Sequence, residues 1–328
     1  MTSRVGIQIG ATTPGAALPA IAAEAERLGY GEIWLAEDYF EHGGIASTGA
    51  VLAATTDIPV GLGVVAAPAR HPAVTAMEFA SLAGLFPGRF MAGLGHGAPG
   101  WVKQMGLTPD SPMRLLREVA GTTTRLLAGE ELTVTGGTFE LDRIRLLHPP
   151  DRHLHLYFGV QGPASLRLSG ELADGTLLGW FTTAGSLRWA KDRIEEGRAR
   201  TERTDTHHAV VLCVLSLSDD DPAAARESFA RFAGPMLAAM AGSKPMLASE
   251  AGRELTALVE SNGREAIGGT PLDEFGAVGS TADCAGRIAE LLDAGAERVV
   301  LVPNPAGMRS TPEMLEQIRA AAALAGEF

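Results

Sequence analysis

Only a few ionisable side chains stand where they could do chemistry, and each one follows a short apolar run. In folds built of parallel strands, reacting groups collect where the strands end. The residues at such positions are Glu37, Asp38, Arg70, His71 and His96. Carboxylates and imidazoles at these places can deliver or take a proton. A charged strand-end pair and solvent-facing loop histidines are the plainer interpretations.

Several enzyme classes are not indicated. No serine stands in a G-x-S-x-G turn, and neither cysteine has a partner histidine nearby. No spacing of cysteines and histidines matches a metal site. The remaining strand ends are glycine-rich and apolar, which is typical of a site for a planar redox cofactor.

Two glycine-containing segments are candidate cofactor loops. Gly95-His96-Gly97 would let the backbone approach a ligand closely. Gln161-Gly162-Pro163 begins a predicted helix, whose free N–H groups suit a phosphate. A plain turn and ordinary helix initiation are the alternatives.

Eight apolar runs alternate with helical patterns, and no linker interrupts the series. The predicted strands are Arg4–Gly10, Glu32–Ala36, Ile58–Val65, Arg89–Leu94, Leu154–Val160, Asp174–Trp180, Ala209–Ser216 and Arg298–Val302. Parallel strands with right-handed helical crossovers are expected. The sequence therefore predicts an α/β fold, one (β/α)8 TIM barrel over residues 1–328. An open doubly wound sheet is less favoured, because G-A-T-T-P-G follows the first strand where G-x-G-x-x-G would be needed.

Two segments fall outside the repeat. Residues 131–147 contain Gly136-Gly137 between β-prone runs and are predicted as a hairpin insertion. Residues 242–278 lack a clean strand and are predicted as an insertion after strand seven, with a helix at Ser249–Glu260. Further helices are predicted at 16–28, 45–55, 73–85, 112–128, 161–172, 186–200, 222–241, 281–294 and 312–325. Ser111 and either Ser280 or Thr281 are the predicted N-caps.

Composition and charge limit the partners. The net charge is −12 and no Lys/Arg cluster is present, which argues against nucleic acid. Cys213 and Cys284 are isolated, so a reducing cytoplasm is expected, and no stretch is long enough to span a membrane. The histidines that precede strands five and seven would lie at the opposite end of a barrel from its site. They are interpreted as surface or packing residues, and are His153, His155, His207 and His208.

Longer motifs resemble a known family. GLGVVAAPARHPAVTA, followed by GRFMAGLGHG, is similar to the third- and fourth-strand region of bacterial luciferase-like flavin and deazaflavin enzymes. Within these it most resembles methylenetetrahydromethanopterin reductases and related coenzyme F420-dependent oxidoreductases. VQGPASLRLSGELADGTLLGW (Val160–Trp180) resembles their phosphate loop and sixth strand, and Val278–Pro303 their last βα unit.

The resemblance implies a luciferase-like barrel with F420, or FMN as the alternative, lying across the strand C-termini. A non-prolyl cis peptide that bulges against the ring would match the Gly63–Val64 bond. The phosphate tail would lie against the fourth- and fifth-strand loops. The implied cofactor-binding residues are Gln8, Gly63, Val64, Val65, Gly95, His96, Gly97, Ala98, Gln161, Gly162 and Pro163.

The sequence also departs from this family. Gln8 stands where methanopterin reductases have an acidic residue, and Glu37-Asp38-Tyr39 replaces their Asp-His-Tyr. These departures weaken the case for tetrahydromethanopterin as the substrate. They leave Asp38, Glu37 and His96 as candidate catalytic proton donors.

Three functions fit the resemblance. The first is an F420-dependent oxidoreductase, as a reductase, that transfers a hydride between deazaflavin C5 and an unsaturated small-molecule substrate. The second is an FMN-dependent luciferase-like monooxygenase, and the third is a non-catalytic partner subunit. A homodimer is expected, and the apolar helix at 73–85 fits either its interface or a buried core position.

Overall fold

The computed structural model describes residues 2–269, 271–305 and 310–328. Within them, parallel strands close into a barrel, because the strand Gly175–Leu178 pairs with His208–Leu217 and the strand Arg298–Pro303 pairs with Val5–Ile9. The eight barrel strands are β1 (Val5–Ile9), β2 (Ile33–Leu35), β3 (Val60–Ala66), β4 (Phe90–Gly95), β7 (Leu156–Gly159), β8 (Gly175–Leu178), β9 (His208–Leu217) and β11 (Arg298–Pro303). The predicted (β/α)8 barrel is confirmed.

Helices cover the outside of the barrel. In chain order they are α1 (Leu18–Arg27), α2 (Gly44–Ala54), α3 (Pro72–Leu85), α4 (Pro99–Gln104), α5 (Pro112–Leu127), α6 (Pro163–Leu172), α7 (Ala184–Arg200), α8 (Pro222–Met240), α9 (Lys244–Leu247), α10 (Glu250–Asn262), α11 (Thr281–Asp293), α12 (Thr311–Ala320) and α13 (Ala322–Glu327). Ser111 and Ser280 cap α5 and α11 as predicted, since each hydroxyl accepts an N–H of the first turn. None of the described helices has both the length and the apolar character needed to cross a bilayer.

The two predicted insertions contain additional elements. In residues 131–147, β5 (Leu132–Val134) and β6 (Leu141–Ile144) pair antiparallel. Residues 242–278 hold α9 and α10 and end in β10 (Ala277–Gly279). Thr270 in this insertion lies outside the described residues.

Three elements differ from the sequence prediction. The segment at 242–278 was expected to lack a clean strand, but β10 pairs with the far end of β9, which extends beyond its barrel neighbours. α4 was not predicted, because its six residues directly follow a glycine-rich loop and are too few to show a period. The helix predicted at 312–325 is interrupted at Ala321, which ends α12 and precedes α13.

Alternate strand residues pack into two apolar clusters, as the period of two in a strand requires. On β2, Ile33 and Leu35 pack in the larger cluster, whereas Trp34 belongs to the smaller one. The Trp34 ring lies 5.3 Å from that of Tyr157, on the non-adjacent strand β7. A Cβ on Gly61 of β3 would lie 2.5 Å from Trp34, so this glycine makes room for the indole. Side chains therefore fill the barrel interior, and the open space lies at its rim.

Candidate functional site

A groove of about 380 Å³ opens at the C-terminal rim of the barrel. This volume falls in the range of small-molecule sites, roughly 300–1,000 Å³. Its walls come from six barrel strands and the loops that follow them. The groove is lined by Glu37, Asp38, Tyr39, Gly63, Val64, Ala66, His96, Gly97, Ala98, Trp101, Gly159, Val160, Gln161, Gly162, Ser165, Leu177, Gly179 and Leu212.

Most of the residues proposed from the sequence meet in this groove. Those that line it are Glu37, Asp38, Gly63, Val64, His96, Gly97, Ala98, Gln161 and Gly162. Four others do not line it. Gln8 and Val65 are buried in their strands, Gly95 is buried where β4 pairs with β7, and Pro163 is the first residue of α6. Their part in cofactor binding stays a prediction.

Val64 forms the floor of the groove, surrounded by glycines of the two following barrel strands. A Cβ on Gly95 or Gly159 would lie 2.7 Å from a Val64 methyl group, and one on Gly93 would lie 3.0 Å away. The glycines therefore make the space that Val64 occupies. The Gly63–Val64 peptide is cis, as the resemblance implied. A second non-prolyl cis peptide, Tyr39–Phe40, was not anticipated.

Two glycine positions shape the wall beside this floor. Gly97 has φ +72°, and a Cβ there would lie 2.7 Å from the Cβ of Ala66. Only glycine adopts this conformation readily. Gly162 is the N-cap of α6, and no side-chain hydrogen bond caps this helix. The first-turn N–H groups of α6 therefore stand next to the groove, in the arrangement that favours a phosphate.

Glu37 is held by four hydrogen bonds. Its two oxygens accept from the Arg70 guanidinium at 2.6 and 2.7 Å, which is a bidentate pair. The same carboxylate accepts the Gly44 N–H at 2.8 Å and the Tyr39 hydroxyl at 3.1 Å. Because the carboxylate is buried and all four contacts donate to it, it positions Arg70 and Tyr39. Of the three candidates, Asp38 and His96 remain better placed.

Asp38 and His96 both line the groove and are half-buried. Burial raises the pKa of the Asp38 carboxyl, and the negative charge of Glu41 raises it further. Burial lowers the pKa of His96, because it disfavours the charged imidazolium. A carboxyl with a raised pKa and an imidazole with a lowered pKa can together give and take a proton.

An aromatic pair stands at one side of the groove. The ring of Tyr39 meets that of Trp101 edge-on, with centroids 6.2 Å apart. Burial, followed by the adjacent Glu37 charge, raises the pKa of Tyr39 to about 12. The phenol therefore keeps its proton and remains a donor to Glu37. Phe40, next in the chain, is 67% exposed.

Sequence reasoning missed part of the lining. Trp101 lies on α4, which no periodic signal revealed. Leu177 and Leu212 belong to strands whose apolar runs gave no sign of which side chain reaches the rim. His71, considered from the sequence, lies instead against Phe139 of the 131–147 segment, and its Nδ1 accepts the Ala73 N–H as the cap of α3. A separate hollow contains it.

The chain is similar in sequence to known proteins. The model of the luciferase-like monooxygenase family matches residues 1–298. A 5,10-methylenetetrahydromethanopterin reductase of Methanolobus tindarius is 29% identical over 90% of this chain and 92% of its own length. An F420-dependent glucose-6-phosphate dehydrogenase of Microbacterium testaceum is 31% identical over 49% of this chain and 50% of its own length.

Solved structures resemble the whole chain. The coenzyme F420-dependent tetrahydromethanopterin reductase of Methanopyrus kandleri has a TM-score of 0.73 at 21% identity, covering 98% of this chain and 99% of its own. An F420-dependent secondary alcohol dehydrogenase, in complex with an F420–acetone adduct, has a TM-score of 0.76 at 20% identity, with coverage of 98% and 99%. At these identities the likeness establishes the fold.

Proposed function

Because this chain belongs to the luciferase-like monooxygenase family, we propose that it is an oxidoreductase that binds coenzyme F420 in the rim groove. As a reductase, it would transfer a hydride between deazaflavin C5 and an unsaturated small-molecule substrate. The observation that carries the proposal is the similarity to a 5,10-methylenetetrahydromethanopterin reductase over 90% of the chain. The solved tetrahydromethanopterin reductase of Methanopyrus kandleri is described as coenzyme F420-dependent. The groove fits such a cofactor, since its floor is apolar and its wall includes a helix N-terminus.

Each part of the groove has a role in this proposal. When bound, F420 supplies or accepts the hydride at C5. Val64 supports one face of a flat ring, and the α6 N-terminus near Gly162 holds the anionic tail. Asp38 or His96 gives or takes the accompanying proton at the substrate. The Tyr39–Trp101 pair forms an aromatic wall at one side of the groove.

Titration of the purified protein with F420 and with FMN tests this function. Trp101 lines the groove, so we expect F420 to quench tryptophan fluorescence in the wild type and less in Trp101→Phe. F420 should bind more tightly than FMN, and turnover should change the visible absorbance of F420. Tighter FMN binding with oxygen consumption would instead make the protein a monooxygenase. Binding of neither cofactor would favour a non-catalytic subunit.

The expected homodimer and cytoplasmic location stay predictions. α3 offers some support for the dimer, because Val74, Met77 and Leu85 are exposed on one face of this helix. Helix periodicity places these three positions on a single stripe. An exposed apolar stripe of this kind is suited to burial against a second copy.

A further inference from the structure

A cluster of metal-ligating side chains lies at the opposite end of the barrel from the groove. His153, His155 and Asp174 each bring one ligand atom to within 4.8 Å of the other two. The Nε2 of His153 lies 2.9 Å from Oδ2 of Asp174. Both histidines are exposed and the aspartate is buried. None of these residues lines the rim groove.

The fold brings the three residues together. His153 and His155 stand two positions apart in the chain leading into β7. Asp174 immediately precedes β8, which pairs in parallel with β7. The three side chains therefore meet where two neighbouring strands begin. This register explains why residues about twenty positions apart form one cluster.

Asp174 is held in place by partners outside the cluster. Its Oδ2 accepts the Leu156 N–H at 2.9 Å, and its Oδ1 accepts from the Arg203 guanidinium at 3.0 Å. Such outer contacts fix a ligating carboxylate without using all of its lone pairs. The Arg203 charge opposes a cation, but it contacts the oxygen that points away from His153.

We propose that His153, His155 and Asp174 form a binding site for a divalent transition metal ion of the zinc class. Two imidazoles and one carboxylate are a donor set that zinc accepts, with solvent in the fourth position. Bond lengths of about 2.0–2.2 Å place tetrahedral ligand atoms roughly 3.3–3.5 Å apart. The present separations, up to 4.8 Å, would have to shorten on binding, and both imidazoles are exposed. Two hollows meet at residues 150–154 and give an ion access.

The ion would link the segment before β7 to the start of β8, far from the groove. Its effect would be on stability, because an ion that binds only the folded chain stabilises it. Hydride transfer at the rim would not depend on it. The site and the proposed F420 function can therefore fail independently.

Zinc titration of the full chain, without a polyhistidine tag and after treatment with a chelator, tests the site. We expect calorimetry to show one equivalent of Zn²⁺ bound by the wild type, and affinity to fall on the order of 100-fold in His155→Ala. His148→Ala is the matched control, since His148 is an exposed histidine outside the cluster. It should bind within about twofold of the wild type.

A second readout excludes misfolding as the cause. Before zinc is added, each variant should unfold at the wild-type temperature. Zinc should raise the midpoint of the wild type and of His148→Ala but leave that of His155→Ala unchanged. His153→Ala should repeat the result. Absence of zinc binding, or equal binding by wild type and His155→Ala, would overturn the site and leave an ordinary histidine–aspartate pair.

Discussion

At the C-terminal rim, the strands run into glycines and small residues around a groove, and two of its ionisable groups, Asp38 and His96, face open space. At the base, several polar groups are paired with one another. Glu32 accepts the Trp34 indole N–H at 2.7 Å and an Arg298 contact at 3.1 Å, and His208 lies 2.5 Å from Glu297. The rim leaves room for an organic cofactor, whereas the Glu32–Arg298 and His208–Glu297 pairs at the base join different strands.

The same contrast appears in the titration of buried groups. Burial raises the pKa of Glu32 to about 7, and the Arg298 charge offsets only part of this effect. Burial also lowers the pKa of His207 to about 4, and the Arg198 and Arg203 charges act in the same direction. These buried groups affect the free energy of unfolding, because their pKa values in the folded chain differ from the ordinary ones. Asp38 and His96, at the rim, are shifted in an environment that a substrate can enter. The comparison teaches that a shifted pKa needs an adjoining cavity before it indicates catalysis.

The largest expected effect is on turnover at the rim. We expect removal of the proton donor, tested in Asp38→Asn and His96→Gln, to lower kcat by about 10²–10⁴-fold. Replacement of whichever residue does not donate the proton should lower kcat by less than about tenfold. Neither substitution should change the thermal unfolding midpoint much. Steady-state kinetics and thermal unfolding measure both quantities. Equal losses of stability and turnover would mean that these residues serve the fold.

The pH profile tests each group in one direction of the reaction, Asp38 as a proton donor and His96 as a proton acceptor. If Asp38 gives the proton during reduction, kcat/KM falls as pH rises through a value above the ordinary 3.8. If His96 takes the proton during oxidation, kcat/KM rises through a value below 6.5 and is level above it.

A smaller effect, on stability alone, is expected at the base. The folded-state pKa of Glu32, about 7, exceeds the ordinary 4.5, so the fold favours the protonated carboxyl. This contribution is complete below pH 4.5 and is lost as pH rises through 7, a change on the order of 3 kcal/mol. Urea unfolding of wild type and Glu32→Gln between pH 4.5 and 8 should show the difference. Glu227→Gln, which alters an exposed pair with Arg231, should show none. If Glu32→Gln changed kcat, the proposal that the base affects stability alone and the rim affects turnover would be wrong.

The smallest effect compares two glycines of the rim. Ala at position 97 meets a left-handed backbone and the Ala66 methyl group, whereas a Cβ on Gly100 would have open space. The left-handed conformation disfavours an L-residue by roughly 1–2 kcal/mol. We expect Gly97→Ala to raise the Kd for F420 on the order of tenfold, and Gly100→Ala to leave it unchanged. Equal Kd values would remove Gly97 from the binding wall.

Sequence patterns predicted the barrel because each strand is a short apolar run followed by a helical period. The cis Gly63–Val64 bond came only from resemblance, since no local pattern marks it. Glu37 was a candidate proton donor on residue type alone. Its pairing with Arg70, 33 positions along the chain, could not be seen before the strands were in register. Trp101 was missed because a one-and-a-half-turn helix has no period to detect.

The sequence by itself determined the order of strands and helices and the positions of glycines at the strand ends. Both follow from local properties, which are apolar periodicity and backbone freedom. The tertiary structure alone decided that Arg70 neutralises Glu37, that Asp38 and His96 share one groove, and that Asp174 meets two histidines. Those outcomes depend on which strands are neighbours and in what register, and that follows from closing the whole barrel.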